Sequence, residues 1–231
     1  MLKYKFIKKE GVAFKVLKRE KGDYILYLPG LPNSDSLQRL GKFLPANIIN
    51  LFYPGTWFSE GIFLSKDFND KLLKGVRSLV NDGYRIKAVM ASSFGSYALK
   101  ALAGLSDKLI ILSPVFDTYA PKNKESITDL FERINGFYKT VFHIRRDLAG
   151  FMKKLDELDI YNELDKIRGK KILIIINEDD YSVNSETAVA AAKKLSKHNK
   201  VLLIKSTMKS HGYKLLSDAK VAKQIIKWIN N

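Results

Sequence analysis

Five consecutive branched aliphatic residues, Ile172 to Ile176, fill the run KKILIIIN at residues 170–177. A strand exposed on one face alternates polar and apolar side chains, so a strand without alternation is expected to be covered on both faces. Helices packed on either side of a parallel sheet give that two-sided cover. The rest of the chain fits the same layout, because strand-like and helix-like segments alternate along most of it.

LKYKFIKK and VAFKVLKR flank Glu10-Gly11 and alternate with period two, the pattern of an opening antiparallel hairpin. YILYLPG reads as a buried strand ending at Pro29-Gly30, and Ser34-Asp35-Ser36 offers caps for a short helix through Lys42. ANIINLFYPG is the next strand, with a loop over residues 57–61 behind it. Phe68, Leu72, Val76 and Leu79 at helical spacing mark a helix over 66–82, which Asp82-Gly83 stops. RIKAVMAS, KLIILSP and VLLIKS are further strands, and helices are expected over 185–197 and 215–230. The fold class is therefore α/β with a mostly parallel central sheet. A chain of 231 residues suits one domain spanning 1–231 with a sizeable core.

One segment breaks the rhythm. Between Pro114 and Lys170 no strand is evident, although a single crossover helix would connect the neighbouring strands. Ile127, Leu130, Ile134, Phe137, Val141 and Phe142 follow helical spacing, with Ser126 and Asp129 as a capping box. Leu148, Phe151, Met152, Leu155 and Leu158 mark a second amphipathic helix. This reads as a helical lid insertion over residues 117–168, above one end of the sheet.

Composition narrows the chemistry. The chain has no cysteine, which excludes a disulfide framework, a thiol nucleophile and a cysteine metal site. No apolar run approaches the roughly 20 residues that span a bilayer, and the N-terminal residues alternate instead of forming a signal-like core, so a cytoplasmic location is expected. The net charge of +16 raises nucleic acid as a partner. The excess is mostly lysine in scattered doublets such as Lys8-Lys9 and Lys193-Lys194, without a nucleic-acid motif, so a solvated surface is the expected reading. Oligomeric state is not set by these features.

The stretch KAVMASSFGSYALKAL, residues 87–102, reads as strand, very tight turn and helix, with Ser92 and Ser93 at the turn. A serine hydroxyl is a poor nucleophile at neutral pH and needs a base within hydrogen-bond reach, itself oriented by a carboxylate. His211 lies on the loop after the last strand, in VLLIKSTMKSHGY. The other two histidines, His143 and His198, are expected at the surface. Glu178, Asp179 and Asp180 follow the apolar strand, where strand ends on one sheet edge bring distant residues together.

In the order serine, acid, histidine, the chain resembles the α/β-hydrolases over nearly its whole length. Their nucleophile elbow, G-x-S-x-G, is matched here by Ala91-Ser92-Ser93-Phe94-Gly95, a register that makes Ser93 the nucleophile. The acid loop resembles the family pattern G-x-x-D-x-x-V through Asn177, Asp180 and Val183, which implies Asp180 as the triad acid over Asp179, with Asp117 as the outside alternative. The resemblance implies His211 as the base and an oxyanion hole from the backbone N–H groups of Phe94 and Leu31. Leu31 follows Gly30 in the loop Pro29-Gly30-Leu31-Pro32. The loop YPGTWFSEG is similar to the family's loop after the fourth strand, so Gly30, Trp57 and Phe58 are expected to border the substrate pocket. The implied activity is hydrolysis of a small-molecule acyl substrate, an ester first and a thioester or peptide next, without cofactor or metal. A catalytically inactive, hydrolase-like binding protein is the alternative.

Overall fold

The computed structural model describes residues 3–19, 21–32 and 36–230. Lys3–Lys9 (β1) and Val12–Lys18 (β2) form the expected hairpin. Its turn residues, Glu10 and Gly11, both have positive φ (52° and 75°), the backbone that a two-residue turn between twisted strands requires. Tyr24–Leu28 (β3) leads through Leu37–Phe43 (α1) to Asn47–Leu51 (β4). Ser34 and Asp35 lie outside the described residues. Ser36 stands at the cap position of α1, but its side chain makes no capping bond.

Phe68–Asn81 (α2) ends as the sequence predicts. Gly83 turns at φ 91° and donates its N–H to the Val80 carbonyl, while the Tyr84 N–H reaches the Leu79 carbonyl, so two of the last turn's orphan acceptors are satisfied. Ile86–Ser92 (β5), Gly95–Leu102 (α3) and Lys108–Leu112 (β6) follow. Pro121–Asn135 (α4) and Leu148–Leu158 (α5) fill the long segment before Lys171–Asn177 (β7). Ser185–Leu195 (α6), Lys200–Ser206 (β8) and Ala219–Asn230 (α7) complete the chain.

The eight strands form one sheet in the order β1-β2-β4-β3-β5-β6-β7-β8. β2 runs antiparallel to both neighbours, and every pairing from β4 to β8 is parallel. Apolar packing on both faces explains why β7 lacks alternation. Ile172, Ile174 and Ile176 enter the core beneath α2, α3, α5 and α6, while Leu173 and Ile175 enter the core beneath α1 and α7. All five are at most 1% exposed. Burying one such side chain contributes about 1.5–3 kcal/mol, so an alternating sequence here would forfeit one of the two layers.

Three sequence expectations are corrected. Ser126 and Asp129 do not cap α4, because Pro121 occupies the first turn and starts the helix five residues earlier; a proline there loses no helical N–H bond. The same helix stops at Gly136, so Phe137 to Phe142 are not helical. Phe142 instead bridges to Thr56 and buries its ring, while Phe137 is exposed. The closing helix begins at Ala219 and not at residue 215, because the Asp218 carboxylate accepts the Lys220 N–H as an N-terminal cap. Leu215 and Leu216 sit in a preceding 3-10 turn, still buried.

Candidate active site

The chemistry-bearing residues gather where the parallel strands end, at their carboxyl edge. β5 delivers Ser93 in a left-handed conformation, φ 51°, which is costly for a residue other than glycine and lifts its side chain clear of the sheet. The Ser93 N–H is tied to the Leu112 carbonyl at 2.9 Å, and α3 starts two residues later. So tight a reversal requires a glycine at position 95, where an added Cβ would lie 2.2 Å from the Leu28 carbonyl oxygen. Ala91 and Ser92 are buried behind the turn, whereas Ser93 is partly exposed.

β7 and β8 deliver the partners. His211 Nε2 is 2.8 Å from Ser93 Oγ, and His211 Nδ1 is 2.9 Å from both carboxylate oxygens of Asp180. Asp180 is 1% exposed, and its Oδ1 accepts the backbone N–H groups of Ser182 and Val183. Burial raises its pKa. The hydrogen bond and charge of His211, the Ser182 N–H and the Ser113 hydroxyl outweigh burial, so the carboxyl stays below its ordinary range. Asp179 is exposed, and Asp117 makes no hydrogen bond to the imidazole. In place of the glycine of the acid-loop pattern, the Asn177 side chain accepts the Asp179 N–H and closes the turn that presents Asp180.

The loop after β3 lies over Ser93. A Cβ at Gly30 would stand 3.1 Å from Ser93 Cβ, a crowded contact that glycine avoids as the loop passes this close. The buried Tyr53 hydroxyl anchors the loop by donating to the Pro29 carbonyl at 2.7 Å. Among the described residues, neither the Phe94 nor the Leu31 N–H has a protein acceptor. Both residues, with Ser93 and His211, border a cavity of about 450 Å³. Its apolar wall includes Trp57, Tyr138, Ile127 and Leu130.

Phe58 is not brought to this cavity. It is 52% exposed and packs with Phe6 and Phe52 at the sheet edge. The left-handed turn at Trp57 (φ 49°) sends the two neighbouring rings apart, and Trp57 alone reaches Tyr138 and Phe142. Of the two helices in the long segment, α4 borders the cavity, whereas α5 packs into the main core.

Several contributors escaped the sequence reading. The Ser113 hydroxyl, just after β6, accepts the Gly212 N–H at 3.0 Å and so positions the residue next to His211. Tyr181 lies 5.8 Å, ring to ring, from His211. Lys122 donates to the Asp180 carbonyl, and Asn123 accepts the Asn184 N–H, so the start of α4 clamps the acid loop from both ends. No spacing signal marks these residues, because each acts through a neighbour distant in sequence.

No protein-family model matches the chain, and no curated protein matches it by sequence. Solved structures match it extensively in shape. The Pyrococcus furiosus esterase Pf2001 is similar with a TM-score of 0.70 over 99% of this chain and 92% of its own, at 13% identity. The esterase EaEST from Exiguobacterium antarcticum gives 0.67 over 98% and 99%, at 17% identity. DcsB, solved in complex with its substrate analogue, gives 0.73 over 99% of each chain, at 14% identity. Likeness of this extent at such low identity establishes architecture: the chain has the α/β-hydrolase fold.

Proposed function

We propose that the protein is a serine hydrolase that cleaves acyl bonds, carboxylic esters first, with thioesters and peptides as further substrates of the same chemistry. The observation that carries this reading is the unbroken hydrogen-bonded line from Ser93 Oγ through the His211 imidazole to the buried Asp180, opening on a cavity with two unpaired N–H groups.

His211 Nε2 takes the Ser93 proton as Oγ attacks the substrate carbonyl carbon. The oxygen turns anionic and accepts hydrogen bonds from the Phe94 and Leu31 N–H groups, each such donor contributing about 3–4 kcal/mol to the transition state. The imidazolium, steadied by Asp180, gives its proton to the departing oxygen, nitrogen or sulfur, which leaves an acyl group on Ser93. Water then loses a proton to His211 and attacks the acyl carbon, which frees the acid and restores the serine. The low pKa of Asp180 suits this role, since a carboxylate that stays ionised holds the Nδ1–H and keeps Nε2 free as base. Trp57, Tyr138, Ile127 and Leu130 receive the apolar part of the substrate, and α4 acts as the lid over it.

The test is intact mass after incubation with a fluorophosphonate. A single adduct is expected on the wild type and none on Ser93→Ala. Folded wild-type protein that takes no adduct would refute the reading and leave a hydrolase-shaped binding protein.

A further inference from the structure

The lysine and arginine side chains that border the cavity face no acidic counterpart there among the described residues. Arg133 comes from α4 and Lys214 from the turn after His211, on separate elements, and among the described residues no aspartate or glutamate borders the space. Asp180 is the nearest acid by role, but it is buried behind the imidazole and its charge is committed to it. Among the described residues, neither Arg133 nor Lys214 is paired with a carboxylate. Asp129 and Glu132 share α4 with Arg133 and form no ion pair with it. Two more cations stand behind the same walls: Arg39 donates to the hydroxyl of Tyr213, itself a wall residue, and Lys122 holds the Asp180 carbonyl.

A concave space with apolar walls and cations of one sign concentrates the field inside it and draws in ligands of the opposite sign. A neutral ester leaves both cations unused. A carboxylate or phosphate on the substrate would pair with the planar guanidinium of Arg133 and the ammonium of Lys214, while the apolar wall takes the rest. The site therefore has parts for an ester with two different ends.

We propose that the substrate is an ester, or a related acyl compound, that carries an anionic group of carboxylate or phosphate type, and that Arg133 and Lys214 select it. This rests on the serine-hydrolase reading above and adds the substrate class.

Two matched pairs of esters test it, because the anion can belong to the acid or to the alcohol. The first pair is 4-nitrophenyl hydrogen glutarate against 4-nitrophenyl butyrate, and the second is 4-acetoxybenzoate against its methyl ester. The readout is the ratio of kcat/KM, anionic over neutral, corrected for spontaneous hydrolysis. For at least one pair, the wild-type ratio is expected to exceed one and to fall steeply between about 20 mM and about 500 mM salt. It is expected to fall roughly tenfold in Arg133→Gln with Lys214→Gln, through KM more than kcat. Arg133→Lys should keep most of it. Arg77→Gln, which removes one positive charge from the exposed face of α2, should leave the ratio unchanged. The responding pair tells which side of the ester bears the anion. A ratio near one in both pairs, indifferent to salt and to the double variant, would overturn the proposal while turnover and the Ser93 adduct keep the hydrolase reading standing. An equal fall in Arg77→Gln would also overturn it, by assigning the effect to overall charge. Absence of both adduct and turnover would instead remove the hydrolase reading, and this proposal with it.

Discussion

Two buried carboxylates, Asp180 and Asp159, are shifted in opposite directions, and hydrogen-bond donors decide which way. Burial pushes both up. At Asp180 the imidazole, the Ser182 N–H and the Ser113 hydroxyl reverse the push, and the carboxyl ends below its ordinary 3.8. At Asp159, burial outweighs the bonds from Tyr161 and Thr118, and Asp117 adds like charge, so the carboxyl ends above it. Linkage then gives opposite signs. Asp180 contributes stability that is present above pH 3.8 and lost as pH falls through its lower folded value. The contribution of Asp159 is present below 3.8 and lost as pH rises through its raised value. The melting-temperature gap between wild type and Asp180→Asn should therefore widen with rising pH, and the gap to Asp159→Asn should narrow. Thermal melts across acid pH check both slopes. In activity, Asp180→Asn presents His211 in the wrong tautomer and should lower kcat by about 10⁴-fold. Asp179→Asn, one residue away but exposed, should stay within a few-fold, and ester hydrolysis rates would expose a wrong register if the two were reversed.

The same site depends on how one helix begins. Asn123, in the first turn of α4 and 1% exposed, donates to the carbonyls of Phe116 and Asp117 and accepts the Asn184 N–H at the start of α6. Leucine at this position would keep the volume and strand three backbone groups, at a cost of about 1–3 kcal/mol for each that stays buried without a partner. For a chain of this size, Asn123→Leu should lower the melting temperature by about 2–4 °C per kcal/mol lost. It should also slow hydrolysis, because the acid loop loses a clamp; a melt unchanged within a degree would deny Asn123 this role. Elements of this kind divide what can be read without coordinates from what cannot. β7 was legible because cover on both faces makes its residues uniformly apolar, and the hairpin because Glu10-Gly11 marks the turn between a largely exposed β1 and a largely buried β2. The tight passage from β5 to α3 was legible because small residues must flank it, and the elbow pattern of the family that the chain resembles set Ser93 apart from Ser92. The direction of Trp57 against Phe58 was not, since the bridge from Thr56 to Phe142 orients that loop across 85 intervening positions. The start of α4 was misread for a related reason: Ser126 and Asp129 have capping spacing, but Pro121 had already begun the helix. Arg133 carries no motif, and only the turn count of α4 aims it at the cavity.

At the scale of the whole molecule, 40 lysines and arginines face 24 aspartates and glutamates. Most of the ion pairs formed are at the surface, as with Lys8–Glu60 and Lys205–Glu178, and exposed pairs contribute only about 0–1 kcal/mol each. The larger electrostatic quantity is the mutual repulsion of the +16 excess, which compaction increases. Screening acts on both, but repulsion operates over longer distances and is weakened first, as the Debye length shrinks to about 10 Å at 0.1 M salt. The melting temperature should therefore rise as sodium chloride is raised from about 10 mM to about 300 mM, the range over which that length contracts most. A protein held together by its surface pairs would show the reverse, so a falling melting temperature would overturn this account of the charge. The same addition of salt should slow the capture of an anionic ester, because the field that strains the fold is the field that the cavity concentrates. Fold stability and capture rate, measured along one salt series, should therefore move in opposite directions.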